Sequence, residues 1–164
     1  MGDEARLRNE HPDNILSLDD TIRMVVDVVS DDGNIEFNLG PKADGTLAAF
    51  EVERLRAMGA WLKVNGEAIY GTRKSPFGAQ SFGRTTFDAS RNRLYVLVDE
   101  WPTDGVLEVK GATAAPTAAR LLAAPDRAVR CDPLDGGGLR LQVPGEAPDT
   151  AVSVIAIDYE GEIR

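Results

Sequence analysis

The chain has 164 residues, 27 acidic against 18 basic, for a net charge of −9. That balance withholds the basic surface a phosphate backbone needs, so nucleic acid is excluded as an expected partner. One cysteine (Cys131) and one histidine (His11) allow neither an intramolecular disulfide nor a Cys/His metal cluster; a carboxylate-only metal site stays open, and no metal or cofactor is expected.

Residues 1–16 are polar and charged. They read as a loose leader and not as a signal peptide, which as written implies a cytoplasmic chain. No apolar run is long enough to span a bilayer. Ser17-Leu18-Asp19-Asp20 has the form of a capping box, with Ser17 as N-cap. Ile22, Val25, Val26 and Val29 follow at i, i+3, i+4 and i+7, which predicts an amphipathic helix closed by Gly33. Residues 34–39 predict a strand. Thr46 can cap a second helix over about 47–64, with Ala48, Val52, Leu55, Gly59 and Leu62 as its inner face and Met58 and Trp61 beside it. Asn65-Gly66 would supply a left-handed stop.

Beyond residue 75 the pattern changes to short apolar runs, at 84–87, 93–98, 106–109, 119–123, 128–131, 139–143 and 151–157. Turn signals separate them, among them Pro102-Thr103-Asp104-Gly105 and Asp135-Gly136-Gly137-Gly138. This spacing predicts an antiparallel β-sandwich, with 93–98 and 152–157 as its core strands and the Ala-rich run 112–119 as a loop.

The stretch NIEFNL at 34–39 alternates. Ile35, Phe37 and Leu39 share one face, and Asn34, Glu36 and Asn38 share the other. A single strand cannot satisfy its own backbone groups, so it must pair with a symmetry mate, the leader or another chain. Homo-oligomerisation is the economical expectation.

Leu55–Thr72 reads LRAMGAWLKVNGEAIYGT. This run resembles a signature of the α-L-fucosidases of glycoside hydrolase family 29. The preceding DTIRMVVDVVSDDGNIEFNLGPKADGT is similar to the family segment through its last barrel strand, and SPFGAQSFGRTTF, RLYVLVDEWPTDGVLEVKG and PGEAPDTAVSVIAIDYEG resemble its C-terminal β-sandwich. The resemblance implies an α+β chain with three parts: the leader 1–16, a helix–strand–helix remnant of a (β/α) barrel over 17–72, and an antiparallel β-sandwich over 73–164. The family begins with a catalytic barrel whose first six or seven strands have no counterpart here, and no position matches the family's nucleophile, sugar-binding histidines or acid/base. Where family members carry an aliphatic strand, this chain has Glu36 and Phe37. A parallel barrel strand buried on both faces would be continuously hydrophobic.

The polar row Asn34, Glu36, Asn38 therefore has two readings. It can be a solvent-facing strand surface that discourages aggregation, or it can line a site rebuilt in an oligomer, with Glu36 as acid or base and Asn34 and Asn38 binding substrate. Asp44 follows on the same side as a second catalytic candidate, against its ordinary use in an Asp-Gly turn. Trp101, flanked by Asp99, Glu100 and Asp104, could stack on a sugar or simply pack inside. Glu67 reads as a structural residue of the signature, and His11 as solvated. The resemblance implies a fucoside or fucosylated glycan as partner, with no membrane. Two function classes follow: a reduced α-L-fucosidase-type glycoside hydrolase with its site at a subunit interface, or a non-catalytic accessory or glycan-binding module.

Overall fold

The computed structural model describes residues 16–160 apart from Ala79 and Thr113; the leader up to residue 15, His11 included, lies outside the described residues. Helix α1 spans Leu18–Ser30. The Ser17 hydroxyl accepts from the Asp20 amide at 3.0 Å, as the capping sequence requires. Thr21, Ile22, Val25, Val26 and Ser30 form its buried stripe. Its end is fixed by Asp32 at φ 59 and by the Gly33 amide donating to the Val28 carbonyl at 2.8 Å. Glycine is required there by proximity: a Cβ at Gly33 would sit 2.8 Å from Val28 Cγ1 and from its carbonyl oxygen.

Helix α2 spans Ala49–Asn65. Two expectations about its ends are corrected. Its N-cap position is Ala48, not Thr46, and the amide there is satisfied by the Glu51 carboxylate at 3.2 Å. A Glu at the third helical position thus replaces a missing cap hydroxyl, reaching back as in half a capping box. At the other end Asn65 and Gly66 keep negative φ, and the chain runs on into a 3₁₀ turn, Gly66–Ala68. The left-handed residue comes later, at Gly71 with φ 74.

The inner face of α2 is also corrected. Its buried residues are Glu51, Trp61 and Asn65. Ala48, Val52, Leu55 and Leu62 are only half-buried, and Gly59 is exposed. The Trp61 indole sets the helix's rotation, donating to the Val152 carbonyl at 2.9 Å.

The rest is antiparallel sheet. Eight strands follow: β1 Arg73–Lys74, β2 Gly83–Asp88, β3 Arg93–Val98, β4 Val106–Val109, β5 Pro116–Leu121, β6 Arg130–Pro133, β7 Leu139–Gln142 and β8 Ser153–Tyr159. They form a five-stranded sheet in the order β1-β2-β3-β8-β5 and a three-stranded sheet in the order β4-β7-β6. Strand β5 corrects the second half of the loop expected over 112–119, from Pro116 onward. Its residues PTAARL carry little apolar contrast, and their pairing with β8 decides the outcome.

Strands β3 and β8 are central and buried on both faces. Leu94, Val96, Val98, Ile155, Ile157 and Tyr159 point toward the three-stranded sheet, where they share a core with Leu107, Val109, Leu139 and Leu141. Tyr95, Leu97, Val154 and Ala156 point the other way, onto Ile22 and Val26 of α1 and Trp61 of α2. The period of two along each strand therefore feeds two separate cores. The chain is α+β, with two helices on one face of a five-stranded antiparallel sheet and a second antiparallel sheet on the other.

Candidate functional site

Between the helices runs the stretch that carries most of the predicted site. Residues 34–39 form neither helix nor strand, so the strand expected there is corrected. Among the described residues they donate and accept no backbone hydrogen bond. A strand exists only beside a neighbour, and the described residues supply none. The alternation expected from the sequence is present: Ile35, Phe37 and Leu39 are half-buried, while Asn34, Glu36 and Asn38 are exposed. Ile35 and Phe37 line an open groove of about 440 Å³ with Val25 and Val29 of α1 and Met58 and Leu62 of α2. Tyr70, 65% exposed, stands at its rim.

The loop from Gly40 to Ala48 is held by side chains. The Glu51 carboxylate, almost fully buried, accepts from the Gly40 amide and from the Ala48 amide, both at 3.2 Å. One residue of α2 therefore fixes both ends of the loop that follows the stretch 34–39. The sequence signal was available in the Glu three residues after Ala48, but with no Ser or Thr at the cap it carried little weight.

Asp44 sits in that loop. Its Oδ1 accepts from the Thr46 hydroxyl at 2.7 Å and from the Thr46 amide at 3.0 Å. The hydroxyl above all, with the amide, holds the Asp44 carboxyl below its ordinary value. Asp44 is thus an ionised acceptor closing an Asx turn, with Gly45 at φ 80 beside it. This favours a turn role over proton donation.

Trp101 lies elsewhere. It is half-buried against the core between the two sheets, and its indole donates to the Pro144 carbonyl at 2.9 Å. The structure does not bring it to the face that carries Asn34, Glu36 and Asn38. Of the acids around it, Asp104 accepts from the Val106 amide at 3.0 Å to close a turn.

Glu67 turns out to be a junction. Its carboxylate meets Arg120 at 2.8 Å and Arg93 at 3.5 Å, and both arginines also reach Asp158, at 3.5 and 2.6 Å. With the Thr86 hydroxyl donating to the Ala68 carbonyl at 2.7 Å, this network ties the turn after α2 to strands β2, β3, β5 and β8. Only tertiary pairing could reveal it, since its members are up to 91 positions apart. Among the described residues no group of three or more His, Cys, Asp or Glu side chains could hold a metal ion.

Residues 6–67 match the family model described as alpha-L-fucosidase. The chain is 33% identical to the alpha-L-fucosidase of Branchiostoma floridae over 132 residues, covering 79% of this chain and 29% of that one. It is 38% identical to the plasma alpha-L-fucosidase of Homo sapiens over 95 residues, covering 56% and 20%. Among solved structures, an alpha-L-fucosidase from Vibrio sp. strain EJY3 superposes with a TM-score of 0.81 at 27% identity, covering 92% of this chain and 27% of that chain. An alpha-fucosidase of Thermotoga maritima in complex with a mechanism-based inhibitor superposes with a TM-score of 0.76 at 32% identity, covering 92% and 36%. The chain therefore spans between about a fifth and two fifths of the length of these relatives. By sequence and by structure it belongs with the α-L-fucosidases of glycoside hydrolase family 29, of which it represents a part.

Proposed function

We propose that this chain serves the hydrolysis of α-L-fucosides, as part of a fucosidase-type glycoside hydrolase whose site is completed between chains. The helices with the stretch 34–39 are read as a piece of a (β/α) barrel, and the two facing sheets as a β-sandwich. The division falls near residue 72. The observation that carries the proposal is the stretch 34–39, unpaired among the described residues, with its exposed row Asn34, Glu36, Asn38 and its C-terminal side anchored by Glu51. Glycoside hydrolysis needs two carboxyl groups flanking the scissile bond. Asp44 is engaged in its own turn, so among the described residues Glu36 is the carboxyl this stretch offers, and we place the second on another chain.

The engagement of Asp44 and the packing of Trp101 also support a second reading, a non-catalytic accessory or glycan-binding module. An assay on an aryl α-L-fucoside separates the two. The first reading expects turnover by the purified protein, and a loss of at least ~100-fold in Glu36→Gln, the low end for general acid–base catalysis. No turnover at any protein concentration removes the catalytic reading and leaves the binding module, which a fucose-titration experiment then tests; an active wild type with an equally active Glu36→Gln keeps the hydrolase and removes Glu36 from its chemistry.

A further inference from the structure

We infer that Asp135–Gly136, at the tip of the β6–β7 hairpin, is a site of backbone self-modification, where the aspartate cyclises onto the next amide and reopens as isoaspartate. In the sequence the pair is only a turn signal. The structure sets it apart from every other step of its kind in the chain.

The chemistry needs no partner but water. The Gly136 amide nitrogen attacks Cγ of the Asp135 carboxyl group in its protonated form. An N–Cγ bond forms, a Cγ–O bond breaks, and the amide proton leaves with the hydroxyl as water. The product is a succinimide ring. Water then adds at one of the two ring carbonyls. Breaking the N–Cγ bond restores aspartate. Breaking the bond from nitrogen to the main-chain carbon leaves the chain running through the side chain, as isoaspartate. No electron is transferred, and the final product has the mass of the original.

Two groups must be free for this, the carboxyl and the following amide. The chain has four Asp-Gly steps, at 32–33, 44–45, 104–105 and 135–136. Three are clamped at both groups. Asp32 Oδ1 accepts from the Lys74 amide at 2.7 Å, and the Gly33 amide donates to the Val28 carbonyl at 2.8 Å. Asp44 Oδ1 accepts from the Thr46 hydroxyl and amide, and the Gly45 amide donates to the Lys42 carbonyl at 2.9 Å. Asp104 Oδ1 accepts from the Val106 amide at 3.0 Å, and the Gly105 amide donates to the Pro102 carbonyl at 3.3 Å.

At the fourth step neither group is engaged. Among the described residues the Asp135 carboxylate accepts no hydrogen bond, the Gly136 amide donates none, and both residues are exposed. The approach is open as well, since a Cβ at Gly136 would meet nothing within 4 Å. Without a Cβ the backbone can turn toward the ring geometry at little steric cost. The Asn-Gly step at 65–66 offers related chemistry but is shut. Asn65 is fully buried, and the Gly66 amide donates to the Leu62 carbonyl at the helix end.

The product falls where the fold registers it. The Gly137 amide donates to the Leu134 carbonyl at 3.2 Å, and the Leu134 amide to the Gly138 carbonyl at 2.9 Å. These bonds close the turn that contains both residues. Isoaspartate adds one atom to the backbone inside that turn, so the strain falls on the hairpin register that begins at Pro133 and Leu139.

Peptide mapping of the intact chain tests the assignment, whatever the protein does with fucosides. Folded protein is aged in buffer at about pH 6, above the isoelectric point near 4.6 and still within reach of carboxyl protonation. A second sample is aged in urea. Isoaspartate is located by mass spectrometry after digestion with an Asp-specific protease, which does not cut before isoaspartate. In the folded sample it should build up at 135 at least ~10-fold faster than at 32, 44 or 104, the effect of one or two hydrogen bonds that must first open. In urea the four steps should react at comparable rates. Asp135→Glu must close a larger, slower ring at an exposed position. It should abolish the product there and leave the melting temperature unchanged. Equal rates at the four steps of the folded protein overturn the proposal. So does the absence of product at 135 once the urea sample has reacted. The same ranking in urea as in the folded state also overturns it, because sequence and not structure would then set the rate.

Discussion

The central strands β3 and β8 and the stretch 34–39 have the same length, six or seven residues, and in each the side chains sort by alternate positions into two sets. Their fates differ completely. Leu94 through Leu97 and Val154 through Ile157 are fully buried, with neighbours on both edges and cores on both faces. Ile35, Phe37 and Leu39 are half-buried, and the stretch has no strand neighbour among the described residues. The contrast shows that alternation is local, whereas a strand is a relation between two pieces of chain. It also locates the molecule's incomplete surface, on the stretch 34–46 and the outer side of α2.

Hydrogen exchange should expose that contrast most strongly. Amides of β3 and β8 are expected to open only with global unfolding, whereas amides of 34–39 have no backbone acceptor among the described residues. For a domain of ordinary stability, protection should differ by ~10³-fold or more. Equal protection of both regions at high dilution would break the comparison, since it would require a partner for 34–39 within one chain.

The same contrast governs what was legible in the sequence. The uninterrupted run Leu94–Val98 and the run Val154–Ile157 marked their strands because burial on both faces leaves no polar positions. Helix α1 was legible because Ser17, the apolar period and Gly33 all act within a few residues. Strand β5 was hidden because Ala118 and Ala119 are ambivalent and Arg120 is outward, meeting Glu67 from 53 positions away. The rotation of α2 was misjudged for a related reason. Ala48, Val52, Leu55 and Leu62 make a proper apolar stripe, yet the helix turns Trp61 inward to reach Val152, and the stripe is left half-exposed. Of the candidate site, the alternation at 34–39 was visible, but the absence of a neighbour was not, because no residue within the stretch reports it. The turn role of Asp44 and the packing of Trp101 were each visible as the plainer of two readings.

Helix α2 offers a second test, with a smaller effect. Trp61 is 5% exposed and is the main apolar anchor of the helix on the sheet. Trp61→Ala should destabilise by about 3–5 kcal/mol in chemical denaturation, as for a large buried aromatic. Trp61→Phe should cost less, leaving the Val152 carbonyl without its donor, about 1–3 kcal/mol. Val52→Ala, on the stripe first expected to be the inner face, should cost well under 1 kcal/mol in a dilute sample. If Val52→Ala costs as much as Trp61→Ala, the stripe is covered in solution and the helix has its apolar partner after all.

The smallest effect concerns the rim of the sheets and depends on pH. Cys131 lies in β6, half-buried against the core between the sheets. Burial, followed by the neighbouring charge of Asp132, pushes its thiol up to about 12. In the unfolded chain a thiol ionises near ~8.5. The neutral form is therefore the one the fold keeps, and below pH 8.5 both states hold the proton, so nothing is lost. Above it the unfolded chain releases a proton that the folded chain retains, and stability falls as pH rises toward the folded value. Tyr159, in the same core cluster, is also raised by burial, but its loss begins only above the ordinary tyrosine value near ~10. Between pH 7.5 and 9.5 the slope therefore reports the thiol. The wild type should lose up to ~1 kcal/mol more than Cys131→Ala over that interval, a figure already reduced for the partial exposure of the side chain. Alkylation by iodoacetamide at pH 8.5 should be correspondingly slow in the folded protein and fast in denaturant. A Cys131→Ala variant with the same pH slope as the wild type, or a thiol that reacts at the same rate folded and unfolded, would mean that β6 opens readily. The three-stranded sheet would then belong with the stretch 34–39 on the loosely held side of the comparison, and only β3, β8 and their immediate neighbours would form the stable centre.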